Sequence, residues 1–297
     1  MERGYIHLEG PFDLRKTLES GQSYLWWRAD GATYGSTDAD TWYLTTTRAA
    51  GEPALLRVRQ DGDSLTWEST VDAGDVVRCR LGLDDDFVAI RESAPDDDLV
   101  RQAFDAHWGM RVVRDPPFGA LVSFICSAQM RVARIHGMQQ RLREAFGTPI
   151  AFDGEQYHAY PTPEQLADAS EQALRDLSLG YRAPYVQRSA ELVTEGTTLD
   201  VRGQPYEQAR EALTEFVGVG EKVADCILLF SLDYEQAVPL DTWMRTTIEE
   251  YYPGCDRGTY TETSRALRAA LGGEFAGYTQ TYVFHHLRND GGTDSGQ

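Results

Sequence analysis

Hydrophobic and polar positions fall into two regimes along the chain. Over residues 1–92 the apolar residues come in short β-type runs: Tyr24-Leu-Trp-Trp-Arg28, Thr41-Trp-Tyr-Leu-Thr-Thr46, Ala54-Leu-Leu-Arg-Val-Arg59 and Ser64-Leu-Thr-Trp-Glu68. β-branched and aromatic residues suit a pleated, half-buried surface. Asp30-Gly31, Gly51-Glu-Pro53 and Asp61-Gly62 between them supply the turn chemistry of antiparallel hairpins. A short helix is expected from Pro11 to Ser20, stopped by Gly21. From Ala94-Pro-Asp-Asp-Asp98 onward the spacing becomes helical. Thr162-Pro163-Glu-Gln165 joins a capping residue, a proline at the first helical position and a glutamine at the third, opening a helix expected to end near Gly180. Further helices are expected from Ala183 to Gly196, Tyr206 to Phe216, Glu221 to Ser231 and Glu274 to Arg288. The expected fold is α+β: an antiparallel β domain with short helices over 1–93, a mainly helical domain over 94–290 and a polar, glycine-rich, disordered tail at 291–297.

Composition changes this picture little. The 47 acidic residues against 28 lysines and arginines give a net charge of −19, which ordinarily argues against a nucleic-acid partner. The acidic groups are scattered, however, and abundant aspartate with scarce lysine suits a halophilic cytosol of molar salt, where the Debye length is about 3 Å. The charge is read as habitat. No apolar run approaches the roughly 20 residues of a membrane span, and Met1-Glu-Arg-Gly-Tyr5 is no signal peptide, so a soluble cytoplasmic protein is expected. Cys79, Cys126, Cys226 and Cys255 lie far apart without a C-x-x-C pair, which suggests neither a zinc site nor a cluster ligand set.

Two lysines remain in the whole chain, Lys16 and Lys222. The second follows Val217-Gly-Val-Gly220, a tight turn between two expected helices. Glycines there permit positive φ, and the amides opening the second helix point outward with the positive end of its dipole, ready for a phosphate. Taken alone, Gly218-Val219-Gly220 reads better as an ordinary helical turn. Lys222 shifts the balance, because a chain that has shed nearly all its lysines keeps one where an amine nucleophile would stand. Nineteen residues on, Asp241 follows Val238-Pro-Leu. An amine can attack an anomeric carbon to form a Schiff base, and a carboxylate can stabilise oxocarbenium charge or move protons. Asp241 also suits the N-cap of a helix beginning at Thr242, and both roles can hold together.

At these residues the sequence resembles the helix-hairpin-helix DNA glycosylases, in particular 8-oxoguanine DNA glycosylases of the eukaryotic type. The resemblance extends through Gly109-Met-Arg-Val-Val-Arg-Asp-Pro116, Leu121-Val-Ser-Phe-Ile-Cys-Ser127, Val132-Ala-Arg-Ile-His-Gly-Met138 and Leu177-Ser-Leu-Gly-Tyr-Arg-Ala-Pro-Tyr185. It continues through Val223-Ala-Asp-Cys-Ile227, Gln236-Ala-Val-Pro239 and Gly277-Tyr-Thr-Gln280 to Phe284, and includes Ser20-Gly-Gln-Ser23 in the first domain. It implies that Lys222 is the Schiff-base nucleophile and Asp241 the catalytic carboxylate. Gly21 matches the glycine whose carbonyl accepts the N7 hydrogen of 8-oxoguanine, Cys226 and Phe284 the pair that sandwiches the flipped base, and Gln280 the amide that reads its Watson–Crick edge. Lys222 and Cys226 stand four apart, as do Gln280 and Phe284, so each pair shares a helix face. Tyr181 and Arg182 match residues that wedge into the duplex and contact the cytosine left behind, and Arg134 a second arginine serving that cytosine.

Where the family commonly has three asparagines, this chain has Gln129-Met130-Arg131, so opposite-base contacts are expected from Gln129. Trp243 replaces a histidine that supports the phosphate and the catalytic aspartate in relatives. The resemblance implies a bifunctional glycosylase and lyase acting on double-stranded DNA as a monomer. It needs no organic cofactor or catalytic metal, and a monovalent cation is expected at the carbonyls of Phe216 to Val219. Two alternatives stand beside it: a related glycosylase for another damaged base such as an alkylated purine, and a non-catalytic DNA-binding module. Lys222 and Asp241 together argue against the second, since phosphate binding by backbone amides requires neither.

Overall fold

Two-residue loops build the sheet. In the computed structural model, which describes residues 1–34 and 41–290, strands β1 (Glu2–His7), β2 (Trp27–Arg28), β3 (Tyr43–Ala49), β4 (Glu52–Asp61) and β5 (Ser64–Ser69) form one antiparallel sheet in the order β1-β5-β4-β3-β2. Ala50 and Gly51 join β3 to β4 at φ of +50° and +87°, the positive values that match the right-handed twist of the flanking strands. The expected tail lies outside the described residues. β1 is absent from the sequence reading because its strand character is borrowed. Gly4 stands opposite Trp67 on β5, and a Cβ there would lie 2.5 Å from the indole, so the glycine makes room for the tryptophan.

Short helices surround the sheet: α1 (Leu14–Leu18), α2 (Gly74–Arg80) and α3 (Phe87–Ser93). The helical region follows with α4 (Asp98–His107), α5 (Pro117–Ser127), α6 (Val132–Phe146), α7 (Pro163–Ala167), α8 (Glu171–Leu174), α9 (Ala183–Thr194), α10 (Tyr206–Leu213), α11 (Glu221–Ser231), α12 (Thr242–Tyr251), α13 (Tyr260–Ala270) and α14 (Ala276–Asp290). One apolar core runs from Ile6 to Val283, so sheet and helices share their interior. Neighbouring β4 residues face opposite ways, as a pleated strand requires. Leu56 enters the common core, while Leu55 packs with Leu44, Ile150, Phe152 and Ala159 on the other side. That second layer is the hairpin of β6 (Pro149–Phe152) and β7 (Glu155–His158), in a stretch where the sequence reading has only helices. Its turn is Asp153-Gly154 with φ of +53° and +83°, a strong hairpin signal standing in the sequence.

The helix expected from Pro163 to Gly180 is broken. Its start forms as expected, with the reciprocal capping bonds between Thr162 and Gln165. Ser170 then recaps the chain by accepting from the Ala173 amide, and a widened turn over Arg175–Leu179 contains Ser178 at φ +69°. The break carries Tyr181 to the surface just ahead of α9. Among the described residues, no helix is long and apolar enough to cross a membrane.

Candidate active site

α11 begins where the chain leaves a tight hairpin. Gly218 sits at φ +85°, and a Cβ there would lie 2.8 Å from the Tyr185 ring, so backbone and packing both demand glycine. The Val219 N–H donates to the Phe216 carbonyl (3.0 Å) and the Ser189 hydroxyl to the Val217 carbonyl (3.2 Å), which pins the hairpin to α9. Each carbonyl keeps a second lone pair, so the donor set fits the expected monovalent cation. Gly220 caps α11 with extended backbone and no side-chain acceptor, leaving the opening amides of the helix for an anion.

Lys222 lies in the first turn of α11, half-buried, with Nζ 6.0 Å from the centre of the Phe124 ring. It lines a cavity of about 80 Å³ with Gly21, Cys226, Asp241, Gln280, Phe284 and Arg288. Four separate elements therefore meet at one amine. Asp241 caps α12, accepting from the Met244 N–H at 2.8 Å, as the sequence anticipates for this position. Burial raises its pKa above the ordinary carboxylate value, opposed by the Met244 amide and the Lys222 charge. Burial also pushes the Cys226 thiol up to about 11 while Lys222 pulls the other way, so the thiol stays neutral at pH 7 and offers a soft, uncharged surface. Gln280 is 5% exposed, and among the described residues its Oε1 has no hydrogen-bond donor. A buried acceptor left open beside a cavity is what a base-reading amide requires.

The glycine at 21 takes φ +88°, and its loop is fastened from below. The Gln22 amide donates to the Ser20 hydroxyl (2.8 Å) and the Arg111 carbonyl (2.9 Å), and accepts from the Val113 N–H (3.1 Å). The Ser23 hydroxyl donates to Asp115, which also receives Arg80 at 2.6 Å. Ser20-Gly-Gln-Ser23 and Gly109 to Pro116, read separately in the sequence, are thus two halves of one brace. α14 is seated as tightly: the Gly277 N–H donates to the Glu235 carbonyl (2.7 Å), which sets Gln280 and Phe284 against α11.

The remaining expected residues lie outside the cavity. Gln129 is exposed at φ +54° before α6, and Arg134 is exposed on that helix. Tyr181, the expected wedge, projects with 52% of its surface exposed. Arg182, expected beside it at the cytosine, is buried. Its guanidinium donates to the Ala128 carbonyl and lies 4.3 Å from the Tyr181 ring, so it ties the wedge to the loop before α6. Met130 is half-buried against the core. Trp243, beside Asp241, is 48% exposed. The sequence reading passed over Tyr24 and Phe124 in the pocket wall and Arg288 at its mouth, whose guanidinium is 6.0 Å from the Phe284 ring. Spacing gave a signal for Arg288 alone, four residues after Phe284 on α14.

Comparison with known proteins follows the same lines. The family model described as HhH-GPD superfamily base excision DNA repair protein matches residues 122–271. The chain is 28% identical over 316 residues to the probable N-glycosylase/DNA lyase of Methanothermobacter thermautotrophicus, covering 95% of each chain. It is 30% identical over 261 residues to the N-glycosylase/DNA lyase of Saccharomyces cerevisiae, covering 77% of this chain and 65% of that one. Its fold is similar to that of the Clostridium acetobutylicum 8-oxoguanine glycosylase/lyase, solved in complex with double-stranded DNA containing cytosine opposite 8-oxoguanine. There the TM-score is 0.81 at 25% identity, covering 94% of this chain and 93% of that one.

Proposed function

The chain belongs to the HhH-GPD superfamily of base excision DNA repair proteins, and from that membership we propose that it excises 8-oxoguanine from duplex DNA and then cleaves the strand. The observation that carries this reading is the meeting of the Lys222 amine, the Asp241 carboxylate and the open Gln280 acceptor at one cavity. A damaged base must leave the stack to reach a recessed site, and the exposed Tyr181 supports a wedge that fills the gap. Opposite the lesion, Gln129 and Arg134 are the nearest candidates for contacts to the orphaned cytosine. Phosphate is gripped by the amides of Gly218 and Gly220 and the opening turn of α11, and the carbonyls of Phe216 to Val219 would hold a monovalent cation, adding positive charge beside it.

Selectivity turns on a single proton. 8-Oxoguanine carries hydrogen on N7 and guanine does not, so a carbonyl at Gly21 rewards the first and leaves two acceptors facing each other with the second. Cys226 and Phe284 would take the two faces of the base. The Lys222 amine attacks C1′, the bond to the base breaks, and the base departs with the electron pair and is protonated. Asp241 stabilises positive charge on the sugar as that bond breaks and accepts the proton shed by the amine. The nitrogen lone pair then opens the sugar ring, the C1′–O4′ bond breaking as O4′ takes a proton, and loss of the C2′ proton from the resulting Schiff base expels the 3′ phosphate by β-elimination.

Borohydride trapping tests the reading. Duplexes carry 8-oxoguanine, guanine, an alkylated purine or an abasic site, with wild type and Lys222→Gln. A covalent adduct on 8-oxoguanine that disappears in Lys222→Gln is expected. Adducts only on the alkylated purine would move the substrate elsewhere in the superfamily, and trapping that persists without Lys222 would sink the mechanism.

A further inference from the structure

Asp225, one turn beyond Lys222 on α11, is fully buried and has no part in the chemistry above. Its Oδ1 accepts from the Tyr206 hydroxyl at 2.6 Å and its Oδ2 from the Tyr260 hydroxyl at 2.7 Å. The Arg210 guanidinium stands 3.8 Å from Oδ2. Two tyrosine donors from α10 and α13, with a more distant cation, hold a charge that burial would otherwise penalise. Tyr260 makes a second bond: its oxygen accepts the Leu240 N–H at 3.1 Å. Leu240 immediately precedes Asp241. A chain of two hydrogen bonds therefore runs from the helix of the nucleophile, through α13, to the peptide that carries the catalytic carboxylate. Tyr206 grips the same carboxylate but bonds Ser264 and Arg210 instead, and among the described residues its hydroxyl makes no hydrogen bond to 239–241.

We propose that Asp225 and Tyr260 form a positioning pair for base excision, holding the Leu240–Asp241 peptide in register with the Lys222 amine; the inference rests on the glycosylase reading above. Polarity makes the pair specific. Tyr260 has one proton, which goes to Asp225, so its lone pair is left for Leu240. The ionised carboxylate at 225 can only accept and enforces that direction. An amide there could donate to Tyr260, turning its proton elsewhere and weakening the hold on Leu240. Neither side chain lines the cavity with the reacting groups, so both act through the backbone of the segment they fix.

The test sets Tyr260→Phe against Tyr206→Phe. Each deletes one hydroxyl from Asp225, but only the first frees the Leu240 N–H. Three quantities are measured: single-turnover excision, the Kd for the same 8-oxoguanine duplex, and amide hydrogen exchange at Leu240 in the free protein. Tyr260→Phe is expected to slow excision about 10- to 100-fold with Kd held within about twofold, and to speed Leu240 exchange, while Tyr206→Phe leaves all three near wild type. Equal slowing by the two variants, or unchanged Leu240 exchange in Tyr260→Phe, overturns the proposal. Asp225→Asn keeps the shape and serves in the same way should Tyr260→Phe not fold: wild-type excision in that variant overturns the proposal too. Exchange is read without substrate, so a wild type that ignores 8-oxoguanine refutes the glycosylase reading alone.

Discussion

α14 enters the site through a glycine with no room for a side chain, and Gly277→Ala should separate base recognition from lyase chemistry. A Cβ at 277 would lie 2.5 Å from the Ala237 carbonyl oxygen and from Leu229 Cδ1, and 2.6 Å from the Glu235 carbonyl oxygen. Leu229 can turn aside. The two carbonyls belong to the segment leading into Asp241 and have no such freedom. Ordinary contact begins at 3.4 Å, so the start of α14 must retreat by about 0.9 Å, and the 2.7 Å bond from the Gly277 N–H must lengthen. Gln280 and Phe284 ride on the same helix, within about two turns, and move with it. A misplacement near 1 Å at residues that position a substrate costs on the order of 100-fold in rate, and overpacking costs about 1–3 kcal/mol of stability. Single-turnover excision of 8-oxoguanine should therefore fall about 10- to 100-fold, while cleavage at a preformed abasic site, which needs Lys222 but no base, stays within about threefold. The assay is strand cleavage on end-labelled duplexes carrying either lesion. Wild-type excision by Gly277→Ala, or equal loss of both activities in a variant that melts like wild type, would refute the reasoning.

Other consequences can be measured with the same material. Gly218→Ala forces a left-handed alanine and a clash with Tyr185, so its affinity for an abasic-site duplex, read by fluorescence anisotropy, should weaken about tenfold, the equivalent of 1–2 kcal/mol of backbone strain; unchanged affinity would remove the hairpin from DNA binding. Burial raises Asp241, so the acid limb of excision should lie above the ordinary value of 3.8, with activity lost as pH falls through it, and Asp241→Asn should be slow at every pH and lack that limb. Asp225 is pushed up to about 7 by burial, against the Tyr206 and Tyr260 hydroxyls and the Arg210 and Arg268 charges. Between pH 4 and 7 the folded state then holds a proton that the unfolded state has lost, so this group's contribution to stability declines as pH rises through that window. The urea midpoint of wild type relative to Asp225→Asn should fall accordingly, and a flat difference would contradict the raised value.

The residues proposed for the reaction and for the hairpin stand out in the sequence because chemistry restricts their type. Lys222 stood out where an amine was the exception, Asp241 where a capping residue and a carboxylate coincide, and Gly218 where only glycine turns. The α+β division was legible for a similar reason, since short β-branched runs with Asp-Gly turns and helical spacing are local signals. β1 was not, because Glu2-Arg3-Gly4-Tyr5-Ile6-His7 becomes a strand only by pairing with β5, where Trp67 fills the space over Gly4. The break after Ala167 was hidden in the same way: Ser170 is an unremarkable residue inside an apparently continuous helix until its side chain takes the Ala173 amide.

Positioning residues belong to this second class, and that makes the site larger than its chemistry. Gln22, Asp115, Asp225 and Tyr260 are ordinary residue types with partners distant in sequence: Tyr206 is 19 positions from Asp225, and Ser23 is 92 positions from Asp115. Each ties one wall of the cavity to another element: Gln22 and Ser23 bind the Gly21 loop to the Arg111–Asp115 segment, Tyr260 binds the approach to Asp241 onto α11, and Gly277 lets α14 close on both. The proposed recognition by one N7 proton would leave little binding energy to spare, because a single hydrogen bond to a buried group discriminates only if the acceptor cannot move aside. A loose Gly21 carbonyl would turn away from guanine instead of repelling it. Rigid bracing of that loop is therefore the physical condition for selectivity, and it explains why so many buried polar contacts converge on a cavity of only about 80 Å³.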